Sequence, residues 1–129
     1  MATFPYLKLN YLFYSCTNLA SISGLSNLSG VRSMRFTFAS AAVTSLDFRG
    51  FDPSTLTDLY YTFSGCSSLV TINADPGWAL PSSGLTGSQC FYSCRSLVGG
   101  NGTAWSSSNV SYAYMRIDNA GQAGYLTAS

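Results

Sequence analysis

The sequence predicts a repeat solenoid of about four coils. It would have short parallel β-strands on one side, turns and short helical segments on the other, and a C-terminal cap. Two observations lead there. The first is a recurring set of apolar positions built round a phenylalanine. One copy reads Tyr6, Leu9, Phe13, Cys16, Leu19, Ile22, and the next reads Val31, Met34, Phe38, Ala41, Val43, Leu46. The third reads Leu56, Leu59, Phe63, Cys66, Leu69, Ile72, and a looser fourth reads Leu85, Phe91, Cys94, Leu97. The second observation is the period, since the phenylalanines lie 25, 25 and 28 residues apart. A fixed period of about 20–50 residues marks units that bury their apolar edges against one another. The coils would fall near residues 6–30, 31–55, 56–84 and 85–104, with 105–129 as the cap.

Within each copy the same steps recur. After the Cys column come Leu19–Ile22, Val43–Phe48 and Leu69–Asn73, where apolar and β-branched residues alternate with small polar ones. Such stretches read as strands. Gly-, Pro- and Ser-rich segments then turn the chain at Gly24–Gly30, Arg49–Ser54 and Asp75–Gly84. The pairs Val31/Met34 and Leu56/Leu59 follow. Inward residues at Leu59, Phe63 and Cys66 have helical spacing and predict one or two helical turns. Trp78, in the long third-to-fourth connection, is expected to cover the edge of the core. In the cap, Tyr112–Ile117 reads as a strand. The expected core comprises Phe13, Phe38, Phe63 and Phe91, with Cys16, Cys66 and Cys94. Leu19, Leu46, Leu69, Ile22 and Ile72 complete it.

Of the 129 residues, 47% are hydrophobic and only 9% are charged, for a net charge of +1. One domain with a sizeable core and a neutral Ser/Thr/Asn-rich surface follows. Without a basic cluster there is no phosphate attraction to drive nucleic-acid binding. No apolar run reaches membrane-spanning length, so no membrane insertion is expected. Met1–Pro5 has neither the basic start nor the apolar stretch of a signal peptide. Either the protein is intracellular or the chain is a piece of a larger secreted protein; the low charge and the start within a repeat favour the piece. Cys16, Cys66 and Cys94 share one column with Ala41, as a tight inward position would require. Free buried thiols are expected, with Cys66–Cys94 as the alternative bridge.

Phe63-Ser64-Gly65-Cys66-Ser67-Ser68-Leu69-Val70-Thr71-Ile72 and the linking stretch Val43–Leu59 resemble the BspA-like leucine-rich-repeat surface proteins. The likeness is to their phenylalanine-x-x-cysteine branch. The ending Tyr114–Asp118 and Gly124–Thr127 is similar to the family's closing segment. The chain departs at Ala41, at Thr44–Leu46, where one residue is missing, and in the long Asp75–Gly84 connection. The resemblance implies a leucine-rich-repeat-like solenoid on secreted or wall-attached proteins of host-associated bacteria and some protists, many of them presumed adhesins.

The chain has no histidine, which removes His triads, His metal sites and His acid–base chemistry. Cys90 and Cys94 offer two of the four ligands zinc wants. The five acids are Asp47, Asp52, Asp58, Asp75 and Asp118. Asp47 follows a strand, Asp52 precedes Pro53 in a turn and Asp58 is placed to cap one, so they read as structural rather than as paired catalytic carboxylates. Gly99–Thr103 lacks the lysine of a phosphate loop and reads as a turn. Neither a catalytic residue nor a cofactor or metal site is therefore expected. Two residues before each phenylalanine stand Tyr11, Phe36, Tyr61 and Gln89. If they face outward they form an aromatic strip, with Tyr14, Arg35, Tyr60 and Tyr92 beside it. The strip could bind a sugar or a protein, or pack on itself or on an adjoining domain. A second candidate is the polar strand face of Ser21, Ser23, Ser45, Asp47, Thr71 and Asn73.

The expected function is a non-enzymatic binding or adhesion module of a bacterial cell-surface or secreted protein, contacting a protein or glycan on a host or neighbouring cell. One alternative is a structural spacer or surface layer that self-associates through its N-terminal edge. A phage receptor-binding domain is a further alternative.

Overall fold

The computed structural model describes residues 7–129. Tyr6, which opens the first copy, lies outside them. Five short strands form: β1 (Leu7–Lys8), β2 (Val31–Ser33), β3 (Ser45–Asp47), β4 (Thr71–Ala74) and β5 (Leu126–Ala128). They make two separate parallel sheets, β1-β2 and β3-β4-β5. Registers place Leu7 opposite Val31, Leu46 opposite Ile72, and Ile72 opposite Leu126.

This corrects the predicted architecture. No sheet runs through all four copies, and no closed or solenoid sheet forms among the described residues. The expected leucine-rich-repeat-like solenoid of four coils is therefore not what the chain builds. The expected helical segments are missing too. Helical structure among the described residues is limited to three-residue 3-10 turns at Leu25–Asn27, Pro53–Thr55 and Tyr112–Tyr114.

Two local expectations fail for identifiable reasons. Leu19–Ile22 is not a strand; the backbone bond to the next copy falls before it, where Ala42 N–H donates to the Cys16 carbonyl at 3.2 Å. Tyr112–Ile117 is not a strand either. Ser111 accepts a hydrogen bond from Ala113 N–H through its side chain and starts a 3-10 turn there. The strand of the closing segment is β5, paired to β4.

The segment 59–66 shows why helical spacing misleads here. Leu59, Tyr61, Phe63 and Gly65 send their N–H groups out to Thr86, Ser88, Cys90 and Tyr92, at 2.7–3.3 Å. The N–H groups of Thr62, Ser64 and Cys66 turn back to residues three earlier. Beyond its first turn, an α-helix bonds each N–H to the carbonyl four residues earlier. Here alternate donors leave the segment, so the result is a run of turns. The backbone achieves this by left-handed residues four apart. Tyr11 and Ser15, Phe36 and Ser40, Tyr61 and Gly65, and Gln89 and Ser93 all have φ between 55° and 74°. A left-handed non-glycine residue costs about 1–2 kcal/mol. Seven described non-glycine residues carry that conformation, so tertiary bonding and packing must outweigh it.

The core lies inside these turns. Phe13, Phe38, Phe63 and Phe91 stack ring on ring at 5.6, 5.5 and 5.3 Å, within 12° of parallel. Phe38, Phe63 and Phe91 are fully buried, as are Cys66, Cys94, Leu46, Leu69 and Ile72. Phe13, Cys16, Leu19 and Ile22 are half-buried and pack against that core. All four cysteines are free. The Cys66 and Cys94 thiols donate to the carbonyls of Phe38 and Phe63, each at 2.9 Å. Trp78 is half-buried against Phe48 and Phe51, and its indole N–H donates to the Met115 carbonyl at 3.0 Å.

The closing segment is organised round Asp118, an acid to which its sequence context assigns no individual role. Asp118 is buried and accepts from the N–H groups of Asn101, Thr103 and Gly124 and from the Thr103 hydroxyl, at 2.7–3.1 Å. The glycine-rich loop 99–103 thus wraps a carboxylate of its own chain. A side chain at Gly99 would collide with Asp118 and with the Gly124 carbonyl. Burial alone would raise the Asp118 pKa. The bonds from Thr103, Gly124 and Asn101 outweigh it and hold the carboxyl below its usual range.

Candidate binding surface

The aromatic strip is built by the left-handed column. Tyr11, Phe36 and Tyr61 occupy it at φ 61°, 55° and 55°. Their rings lie parallel, Tyr11 to Phe36 at 5.0 Å and Phe36 to Tyr61 at 4.9 Å, each pair tilted by 5°. Backbone bonds fix the spacing: Tyr11 N–H donates to Arg35, Phe36 to Tyr60, and Tyr61 to Ser88. One residue per copy at one backbone position gives one ring per step.

Flanking groups brace the strip edge-on. Tyr14 meets Tyr11 at 5.5 Å and Phe36 at 6.3 Å. Tyr60 meets Tyr61 at 4.3 Å and Phe36 at 5.8 Å. Arg35 lies 4.5 Å over the Tyr60 ring and pairs with Asp58 at 2.9 Å. Asp58 also accepts from Tyr60 N–H, so one carboxylate positions both. The neighbouring Tyr60 hydroxyl is the main cause holding the Tyr61 phenol above its ordinary range; Tyr92 adds a smaller push. Tyr11 and Tyr92 are more than half exposed, Tyr14 nearly so, while Phe36, Tyr60 and Tyr61 are half-buried against one another.

The strip stops at Gln89. Beyond it lies a depression of about 410 Å³ lined by Gln89, Tyr92, Ser93, Arg95, Trp105, Ser107 and Val110. Sequence reasoning placed Tyr92 beside the strip and Trp105 in the closing segment, and it missed the site the two share. The one signal was the glutamine breaking an aromatic column. The polar strand face stays outside: Ser21, Ser23, Ser45 and Asp47 are exposed, and Thr71 and Asn73 are half-buried.

None of the buried thiols lines the depression. Burial pushes the Cys66 thiol up to about 11 and raises Cys94 and Cys90 further, so all three are protonated at neutral pH. No three of Cys, Asp, Glu and His come together as a metal-holding group among the described residues. No helix among them is long and apolar enough to cross a membrane. No family model, no curated protein and no solved structure matches this chain.

Proposed function

We propose that the chain is a non-enzymatic binding module of a larger cell-surface or secreted protein, with the strip of Tyr11, Phe36 and Tyr61 as its contact surface. The observation that carries the reading is the pairing of strain with exposure. Three aromatic residues are held left-handed, where glycine would fit at lower cost, and their rings are left partly in water. Strain of this kind persists where surrounding structure imposes it, and it clusters at functional sites. Parallel rings about 5 Å apart, with phenol hydroxyls and a guanidinium alongside, suit a glycan or the aromatic and apolar side chains of a protein. The resemblance of Val43–Leu59 and Phe63–Ile72 to BspA-like surface proteins supports a bacterial surface location. Screening the chain and a Phe36→Ser variant on arrays of host and microbial glycans and proteins tests it. A ligand held by the chain and lost in the equally stable variant supports the reading. Equal binding by both sinks it.

A structural, self-associating reading has its own support. Asn10, Leu12 and Tyr14 are the counterparts of Arg35, Thr37 and Ala39, whose carbonyls accept from the preceding copy. Their own carbonyls accept no bond among the described residues, and Leu12 and Tyr14 are about half exposed. Sedimentation from micromolar to millimolar concentration separates the two: a monomer throughout argues against assembly through this edge.

A further inference from the structure

The depression beyond the strip is a site in its own right. At both left-handed columns the N–H donates to the next copy: Tyr61 to Ser88, and Gly65 to Tyr92. The last members are Gln89 and Ser93, both at φ 57°. Their N–H groups donate to nothing among the described residues. Phe91, between them, is taken by the Val110 carbonyl at 2.8 Å. The closing segment therefore meets the middle of this edge and leaves a donor on either side. Gln89 and Ser93 both line the depression.

A cation stands with these donors. Arg95 is exposed and has no hydrogen bond or ion pair among the described residues, whereas Arg35 and Arg49 are paired to Asp58 and Asp47. No carboxylate lines the depression. Its walls carry Trp105 and the exposed ring of Tyr92. The Trp105 indole N–H donates to the Phe91 carbonyl at 2.8 Å, which fixes that ring in place. Ser107 and the Gln89 side chain add groups able to bond hydroxyls.

We propose that this depression binds a carboxylated sugar, of the hexuronic or sialic acid class. Arg95 holds the carboxylate, and the free N–H groups of Gln89 and Ser93 offer further donors to the acceptor oxygens of the sugar. Tyr92 and Trp105 hold the pyranose ring, and its hydroxyls bond Gln89 and Ser107. The volume falls within the usual range of about 300–1,000 Å³ for small-ligand sites. The aromatic walls distinguish the site from one for a bare anion. The Phe91–Val110 bond argues against a second molecule docking across this edge, since its middle donor is already used. The site goes beyond the aromatic strip, and neither needs the other to be right.

The test is a titration of the labelled chain with D-glucuronate, D-glucose and acetate in turn, followed by amide and indole NMR shifts. Saturable shifts at Gln89, Ser93 and Trp105 with glucuronate alone are expected. Arg95→Gln should weaken binding about tenfold or more, by removing a charge-assisted bond. Because Arg95 is exposed and unbonded, the variant should keep its fold, and its spectrum checks this. Tyr92→Ala should weaken glucuronate and leave any acetate response unchanged. Equal shifts with acetate would reduce the site to an anion site and overturn the proposal. So would equal shifts with glucose, no shifts at all, or undiminished binding by Arg95→Gln. Concentration-dependent broadening at residues 10–14 together with 89–93, without ligand, would make a second molecule the occupant and overturn it as well.

Discussion

Two columns of aromatic rings run side by side, two residues apart in each copy, and they differ in almost everything but spacing. The inner column, Phe13, Phe38, Phe63 and Phe91, ends edge-on against buried Tyr125 at 5.0 Å. The outer column, Tyr11, Phe36 and Tyr61, is left-handed, partly exposed, and stops at Gln89. The inner rings are where burial pays for the fold. The outer rings gain stacking but carry backbone strain, so stability alone gives little reason for aromatics there. Equal periodicity in a sequence can thus mark a core column and a surface column at once.

The sharpest way to break the comparison is to remove one ring from each column. Phe63→Ala should cost about 3–5 kcal/mol of unfolding free energy, since the ring is fully buried and sandwiched between two others. Chemical denaturation measures it, and a loss under about 1 kcal/mol would mean the inner column is not the core.

Next in size is the closing segment behind the inner column. Asp118→Asn should cost about 2–3 kcal/mol, because an amide group cannot accept all four bonds the carboxylate now takes. The pH dependence has a definite sign. The folded pKa is depressed, so the stabilisation is complete above the unfolded aspartate value of about 3.9. It is lost as pH falls through the lower folded value. Stability measured between neutral pH and strong acid should show this loss in the parent chain and a flatter profile in Asp118→Asn.

The outer column gives the smaller effect. Tyr61→Gly loses the stack on Phe36 and the edge-on contact with Tyr60, together worth about 1–3 kcal/mol, and relieves a left-handed residue worth about 1–2 kcal/mol. The net change in melting should be about 1 kcal/mol or less, a result expected at few aromatic positions in any protein. A loss as large as that of Phe63→Ala would erase the distinction between the columns.

Smallest of all is the thiol column. Ala41 stands where Cys66 and Cys94 stand in later copies, and Ala41→Cys should change stability by about 0.5 kcal/mol or less. In the native chain at neutral pH, a thiol reagent should label the half-buried Cys16 and spare Cys66, Cys90 and Cys94.

The period, the phenylalanine column and the burial of Leu46, Leu69 and Ile72 were legible because each depends on spacing and apolarity alone. The architecture was not. Leu59, Phe63 and Cys66 have helical spacing, yet alternate N–H donors leave the segment for the next copy. Nothing in side-chain periodicity reports where a backbone donor points. The left-handed turns were hidden because tyrosine, phenylalanine and serine hold most of those positions; only Gly65 betrayed the conformation. A four-coil sheet was expected from strand-like stretches in every copy, but Leu19–Ile22 stays out of strand and the chain divides its strands between two sheets. The role of Asp118 was hidden by distance, since its partners at 101–103 lie 15–17 residues away. The depression was missed for a similar reason, because its walls come from both sides of residue 100.

The most direct measurement pairs melting with array binding for the double variant Phe36→Gly/Tyr61→Gly. A melting transition close to that of the parent chain is expected, together with loss of the ligand the parent holds. Collapse of the fold, or binding undiminished in a stable variant, would contradict it and return the outer rings to the role of packing.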